Sequence, residues 1–126
     1  MNRRAGVLVE HNRERRFIAA EVAHRIVRGA VVTRVPGAAL GLTLFEGRVI
    51  SVFDLGPNRD ELLVCEIQGE LLALGGLRVL RSGFFEVWDE GVKFEAEPVP
   101  ALHVQDELEL WAQQFWNRRR QAGESS

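Results

Sequence analysis

Over most of this chain, apolar residues come in short runs broken by glycines and polar turns, the rhythm of an all-β sandwich or barrel. Val7-Leu8-Val9 reads as a first strand, His11-Asn12-Arg13-Glu14 as a turn, and Arg15 to Ala19 as the return strand. Leu40 to Phe45 and Arg48 to Leu55 form the clearest hairpin, with Glu46-Gly47 where a tight turn needs a glycine. On its second strand, Val49, Ser51, Phe53 and Leu55 face one way and Ile50, Val52 and Asp54 the other. Both faces are mostly apolar, which predicts a central strand. Leu62 to Ile67 and Leu71 to Leu74 make another hairpin around Gln68-Gly69-Glu70, and Leu77 to Leu80 resumes after Gly75-Gly76. Glu86 to Trp88 and Val92 to Phe94 flank Asp89-Glu90-Gly91 as a further hairpin. Val99 to Val104 reads as a last strand, and Pro98 and Pro100 mark it as an edge or strand start.

Two stretches follow a helical period instead. In Glu21 to Arg28, Val22 with Ile26 and Ala23 with Val27 lie four apart, which predicts a short helix ended by Gly29. The β-branched Val31-Val32-Thr33 then predicts a strand stopping at Pro36-Gly37. Near the end, Leu108, Trp111, Ala112 and Phe115 recur at i, i+3, i+4 and i+7, the stripe of an amphipathic helix. Asp106 and Glu109 stand as a capping box at its start, and Arg118 to Arg120 suit the negative end of its dipole. Residues 121–126 read as a flexible tail, and 1–120 as a single domain with a subdomain boundary near 56–61.

Composition narrows the class. The chain has 126 residues, 46% hydrophobic and 27% charged, ordinary for a globular domain. A net charge of −2 gives no global pull toward nucleic acid or anionic membrane, although arginines crowd both ends. With one cysteine, Cys65, an intrachain disulfide and a cysteine-based zinc site are excluded, and its apolar surroundings Leu62-Leu63-Val64 predict an inert, buried thiol. No apolar stretch after the first arginines is long enough for a signal peptide and no run reaches the ~20 apolar residues of a membrane span, so a cytoplasmic location without direct membrane insertion is expected.

No catalytic constellation stands out. His11, His24 and His103 lie at unrelated spacings, and a Glu21–His24 pair on the expected helix lacks the further ligands of a metal site. No glycine pattern forms a phosphate-binding loop, Ser51 and Ser82 have no base nearby in sequence, and the acidic pairs Glu95 with Glu97 and Asp106 with Glu107 read as solvated positions. The residues thus point to a non-enzyme without cofactor or metal. Trp111 belongs to the apolar stripe of the helix, whereas Trp116 sits off its centre and is the better contact residue.

One stretch is specific. Glu21 to Arg28, then Val32-Thr33-Arg34-Val35-Pro36-Gly37, then Gly41, Gly47 and Val49-Ile50-Ser51-Val52-Phe53-Asp54-Leu55 resemble the first half of a CheW domain. Leu62 to Leu80 and Val99 to Trp111 are more loosely similar to its later hairpin and to its closing strand and helix. The resemblance implies a mainly β fold of two small, packed five-stranded barrels, with a short helix near the N-terminus and another at the C-terminus. It implies a non-enzymatic adaptor in a chemosensory array. Its partners would be the cytoplasmic tip of a methyl-accepting chemoreceptor, a CheA-type histidine kinase and other CheW-like proteins.

The chain also departs from the family pattern. The central turn that usually reads Asn-Leu-Arg-Gly is Leu44-Phe45-Glu46-Gly47, so a carboxylate replaces an arginine tied to receptor coupling. Ser51 replaces the usual proline, and the segments Pro36 to Gly41 and Arg81 to Gly91 are shorter than the family norm. These departures predict a trimmed adaptor with one interface altered or lost. His24, Ile26, Gly41, Glu46 and Gly47 are the expected partner-binding residues. The alternative reading is a small β-barrel that binds nucleic acid through its terminal arginines, with an affinity that falls steeply with salt.

Overall fold

The computed structural model describes residues 2–36, 40–56 and 60–113. The strands are β1 (Arg3–His11), β2 (Glu14–Ala19), β3 (Ala23–Arg28), β4 (Thr33–Arg34), β5 (Leu40–Phe45), β6 (Arg48–Asp54), β7 (Glu61–Ile67), β8 (Glu70–Gly75), β9 (Arg78–Trp88), β10 (Gly91–Phe94) and β11 (Glu97–Val99). A helix, α1, follows over residues 104–113. Among the described residues no helix is long and apolar enough to cross a membrane.

Two-residue turns build the hairpins. Asn12-Arg13, Glu46-Gly47 and Gln68-Gly69 each place both residues at positive φ, the twist that matches a right-handed strand pair. Their registers close on His11 opposite Glu14, Phe45 opposite Arg48, and Ile67 opposite Glu70. Each non-glycine residue at positive φ carries a modest steric cost, accepted because the adjoining ladder fixes the turn.

The strands form two sheets. A five-stranded sheet runs β11-β10-β9-β1-β2, and a six-stranded sheet runs β3-β7-β8-β6-β5-β4. The first curls until β2 meets the chain beyond β11. Phe17 N–H donates to the Pro100 carbonyl at 2.9 Å, and Leu102 N–H donates to the Phe17 carbonyl at 2.8 Å. The second brings β3 and the chain after it against β5 through side chains. Thr43 Oγ1 donates to the Val31 carbonyl at 2.8 Å, and Arg25 Nη1 donates to Glu46 Oε1 at 2.9 Å. The two equal five-stranded barrels implied by the family resemblance are therefore a curled sheet of five strands and one of six.

Packing follows from which strands have two apolar faces. Leu8, Phe17, Phe85, Val92 and Val99 fill the first sheet. Phe45, Ile50, Val52, Leu62, Val64 and Ala73 fill the second. Between the sheets lie Val7, Val9, Ile18, Leu63, Cys65, Leu74, Leu77, Leu102 and Val104. β7 therefore alternates between two cores: Leu62 and Val64 enter one, Leu63 and Cys65 the other. Every side chain from Leu62 to Cys65 is at most 3% exposed, which explains its unbroken apolar run. Each buried leucine contributes about 1.5–3 kcal/mol relative to an exposed one.

The helix expected over Glu21 to Arg28 is replaced by strand β3, paired antiparallel with β7. Ile26 packs into the core between the sheets and Val27 into the core of the second. A bulge at His24 shifts the register, from Ala23 opposite Cys65 to Arg25 opposite Val64. A strand with both faces partly buried and one extra residue places apolar groups three and four apart, and that spacing imitates a helical stripe. The last expected strand, Val99 to Val104, is shorter than its pattern: β11 ends at Val99, Ala101 forms an isolated bridge with Phe17, and α1 begins at residue 104.

β6 and β7 both belong to the six-stranded sheet. The chain changes sheet between β2 and β3 and between β8 and β9. Phe115, Trp116 and Arg118 to Arg120 lie outside the described residues. Trp111 of α1 meets Phe53 of β6 edge-to-face, with ring centroids 5.0 Å apart.

Candidate protein-interaction site

Three of the five residues singled out from the sequence come together. The bulge in β3 holds His24 at the surface, with its ring edge-on to Phe45 at 6.2 Å and Nδ1 4.0 Å from Glu66 Oε2. Phe45 is the last residue of β5, so Glu46 and Gly47 follow directly in the turn. Between His24 and that turn stands Arg25, bonded to Glu46 and 6.0 Å above the Phe45 ring. The Glu46 carboxylate thus meets a guanidinium supplied by β3.

The other two are less exposed. Ile26, opposite Leu63, turns toward the core between the sheets. Gly41 sits at the far end of β5, about 17 Å from Glu46 by strand rise. It is buried between Arg34 and Val52 in the ladder, and a Cβ there would stand 2.5 Å from Val32 Cγ1. Gly41 lets the chain at Val32 and Thr33 lie close on β5.

β1, β3 and β9 enclose a surface groove of about 360 Å³ between the two sheets. Ala5, Gly6 and Val7 form one wall, Ala23 to Ile26 the other, and Ser82, Gly83 and Phe84 the rim, above Leu63. Phe84 is 73% exposed although it follows a strand rule: Phe85, its neighbour, is buried in the first sheet, so Phe84 must point outward. The pair Phe84-Phe85 was the sequence signal for this rim. Arg25 had no signal of its own, because its place depends on the bulge one residue before it.

A second apolar surface lies beside the Glu46-Gly47 turn. Leu44 and Val49 form a cross-strand pair on the outer face of the hairpin and are 71% and 68% exposed. Val31, whose carbonyl accepts from Thr43, is also exposed. A large apolar pair at the surface, as Leu44 and Val49 form, is the kind of feature found at sites of association. A larger cleft of about 450 Å³ lies at the start of α1, but Arg4, Glu66, Glu90 and Asp106 give it mixed charge.

The candidate chemical groups stay apart. His11 Nε2 lies 3.0 Å from the Leu55 carbonyl, and His103 is exposed before α1. Among the described residues no three histidine, cysteine or carboxylate side chains converge. Cys65 is fully buried, and burial pushes its thiol up to about 12. Several arginines near the start of the chain meet carboxylates: Arg4 lies 3.8 Å from Glu21, Arg15 3.6 Å from Glu95, and Arg16 pairs with Glu14.

No protein-family model matches this chain, and no curated protein matches it in sequence. Its structure is similar to that of the scaffolding protein TtCheW from Thermoanaerobacter tengcongensis, with a TM-score of 0.53 and 18% sequence identity. The match covers 63% of this chain and 65% of that protein, less than two thirds of its length. The fold of this chain is CheW-like.

Proposed function

We propose that this chain is a non-enzymatic adaptor of the CheW type, recruited to a chemosensory array in the cytoplasm. The groove between β1, β3 and β9 docks the helical cytoplasmic tip of a chemoreceptor. The observation that carries this reading is the exposed Phe84 above an apolar groove in a CheW-like fold. A large aromatic group exposed at a concave site is the kind of anchor that dominates protein interfaces.

The hairpin tip with Leu44 and Val49 provides a second docking surface, for a CheA-type kinase or another CheW-like protein. Glu46 at that tip alters the interface that an arginine serves in the family, because its carboxylate is committed to Arg25. The nucleic-acid reading loses support from the three arginines that are paired with carboxylates.

The test is direct binding of the purified chain to the receptor signalling hairpin of its own organism and, separately, to the regulatory domain of the kinase. Micromolar binding of the receptor hairpin, lost in F84S, supports the reading. Failure to bind either protein sinks it. Tight binding to duplex DNA that weakens steeply with salt would favour the alternative.

A further inference from the structure

β9 is paired on one side along most of its length and on the other only at its end. β1 pairs with the strand from Arg78 to Glu86, whereas β10 pairs with Glu86 to Trp88 alone. Arg81 to Phe85 therefore have a ladder on the β1 side and, among the described residues, none on the other. Alternate backbone N–H and C=O groups of this stretch are left without a strand partner. Arg81 to Phe84 are all exposed, and the bulge at Leu80 ends just before them, so their register is regular: Gly6 faces Gly83 and Arg4 faces Phe85. The other sheet edges offer less. β4 and β11 have two and three residues, the chain at Pro100 and Leu102 bonds to β2, and the edge of β3 belongs to the groove already described.

The same edge carries charge. A cleft of about 410 Å³ lies beside it, lined by Arg3, Arg81 and Lys93 together with Glu86 and Glu95. Glu95 is met by Arg15 at 3.6 Å, and Glu86 stands in the ladder between Arg3 and Lys93. Among the described residues Arg81 has no carboxylate partner, and its guanidinium lies 5.7 Å from the centre of the Phe94 ring. We propose that β9 accepts an extended, acidic segment of a partner protein as an added strand along Arg81 to Phe85, with Arg81 receiving one of its carboxylates. Main-chain bonds to the open edge supply affinity, and the excess of cations selects the charge. A second copy of this chain fits less well. Its β9, laid antiparallel along this stretch, would bring the residues before its own Arg81 onto Lys93, which already pairs with Glu86. A short free segment meets no such obstacle. Ser82, Gly83 and Phe84 border both this edge and the receptor groove, but Arg81 does not line the groove, so the proposal goes beyond the adaptor reading and stands apart from it.

The experiment uses the full chain and a fluorescent peptide of alternating glutamate and valine, blocked at both ends. Anisotropy measures affinity, and amide hydrogen exchange shows where the peptide lies. The proposal expects slower exchange at Arg81 to Phe85 when the peptide binds. It expects binding at least about tenfold weaker when lysine replaces glutamate, and about tenfold weaker in R81E. R81Q, which keeps an unbranched stem beside Phe94, should fall between wild type and R81E. A peptide methylated at its backbone nitrogens should not bind, because it cannot complete the ladder. Equal binding of the methylated peptide and its parent, equal binding of the lysine and glutamate peptides, or slowed exchange only elsewhere on the chain overturns the proposal. So does the absence of binding. Sedimentation of the free chain as a dimer, with Arg81 to Phe85 already slow to exchange, overturns it in favour of a second copy at this edge.

Discussion

Arg25 and Glu46 are separated by 21 positions, yet their side chains meet at 2.9 Å and join β3 to the turn between β5 and β6. Both are more than half exposed, so water screens the pair. In E46Q the amide oxygen still accepts from the guanidinium. Urea unfolding should therefore show a loss below about 1 kcal/mol. A much larger loss would mean that the second sheet depends on this pair for closure.

Closure depends more on Thr43. Its side chain is buried, and its hydroxyl donates to the Val31 carbonyl at 2.8 Å. T43V keeps the shape but removes this part-buried bond, at a cost of about 0.5–1.5 kcal/mol. T43S, which keeps the hydroxyl and loses a methyl, should lie nearer wild type. Equal stability of T43V and wild type in chemical denaturation would count against the bond.

Two glycines should respond for different reasons. A Cβ on Gly6 would stand 2.4 Å from the Ile18 carbonyl oxygen and 2.4 Å from the Phe17 ring, inside the closed part of the first sheet. Neither neighbour can move freely, so G6A should cost at least about 2 kcal/mol. Gly47 has open space around it but sits at φ +78°, so G47A should lose only about 1 kcal/mol, from backbone strain. Thermal melts of the two variants should rank them in that order.

Cys65 gives a pH dependence with a defined sign. Burial raises its thiol from 9.0 to about 12 in the folded chain. The unfolded chain therefore loses this proton first as pH rises. The stabilisation is complete below pH 9 and is lost as pH climbs from 9 toward 12, with a slope of up to about 1.4 kcal/mol per pH unit. C65A should flatten that decline while lowering stability at neutral pH through the cavity it leaves. A thiol reagent should label the native protein no faster than it unfolds.

The hairpins were legible in the sequence wherever a two-residue turn carried the signal. Glu46-Gly47 fixed the pairing of β5 with β6, and Gln68-Gly69 that of β7 with β8. β3 was not legible, because Ile26 and Val27 serve different cores and the bulge at His24 disturbs the alternation that identifies a strand. Nor was β9 in its full length. Arg81-Ser82-Gly83 looks like an interruption, yet it pairs with Leu8, Val7 and Gly6 as part of one long strand. At the candidate site, His24, Glu46 and Gly47 were expected from the family pattern, and the fold brings them near one another. Arg25 emerged only when the sheets were folded against each other, since closeness across 21 positions is not written in local spacing, whereas Phe84-Phe85 carried a strand alternation that shows one ring must face outward.

The first sheet takes β1 and β2 from one end of the sequence and β9 to β11 from the other, with the whole second sheet between them. Order of synthesis then matters. The β1–β2 hairpin leaves the ribosome early, with Leu8 and Phe17 still waiting for Phe85, Val92 and Val99. The β3–β8 unit has all its pairing partners as soon as Gly75 emerges, so it is the first part of the nascent chain able to complete a sheet. Its Leu63, Cys65 and Leu74 then offer the surface on which the early hairpin is held until its missing strands arrive.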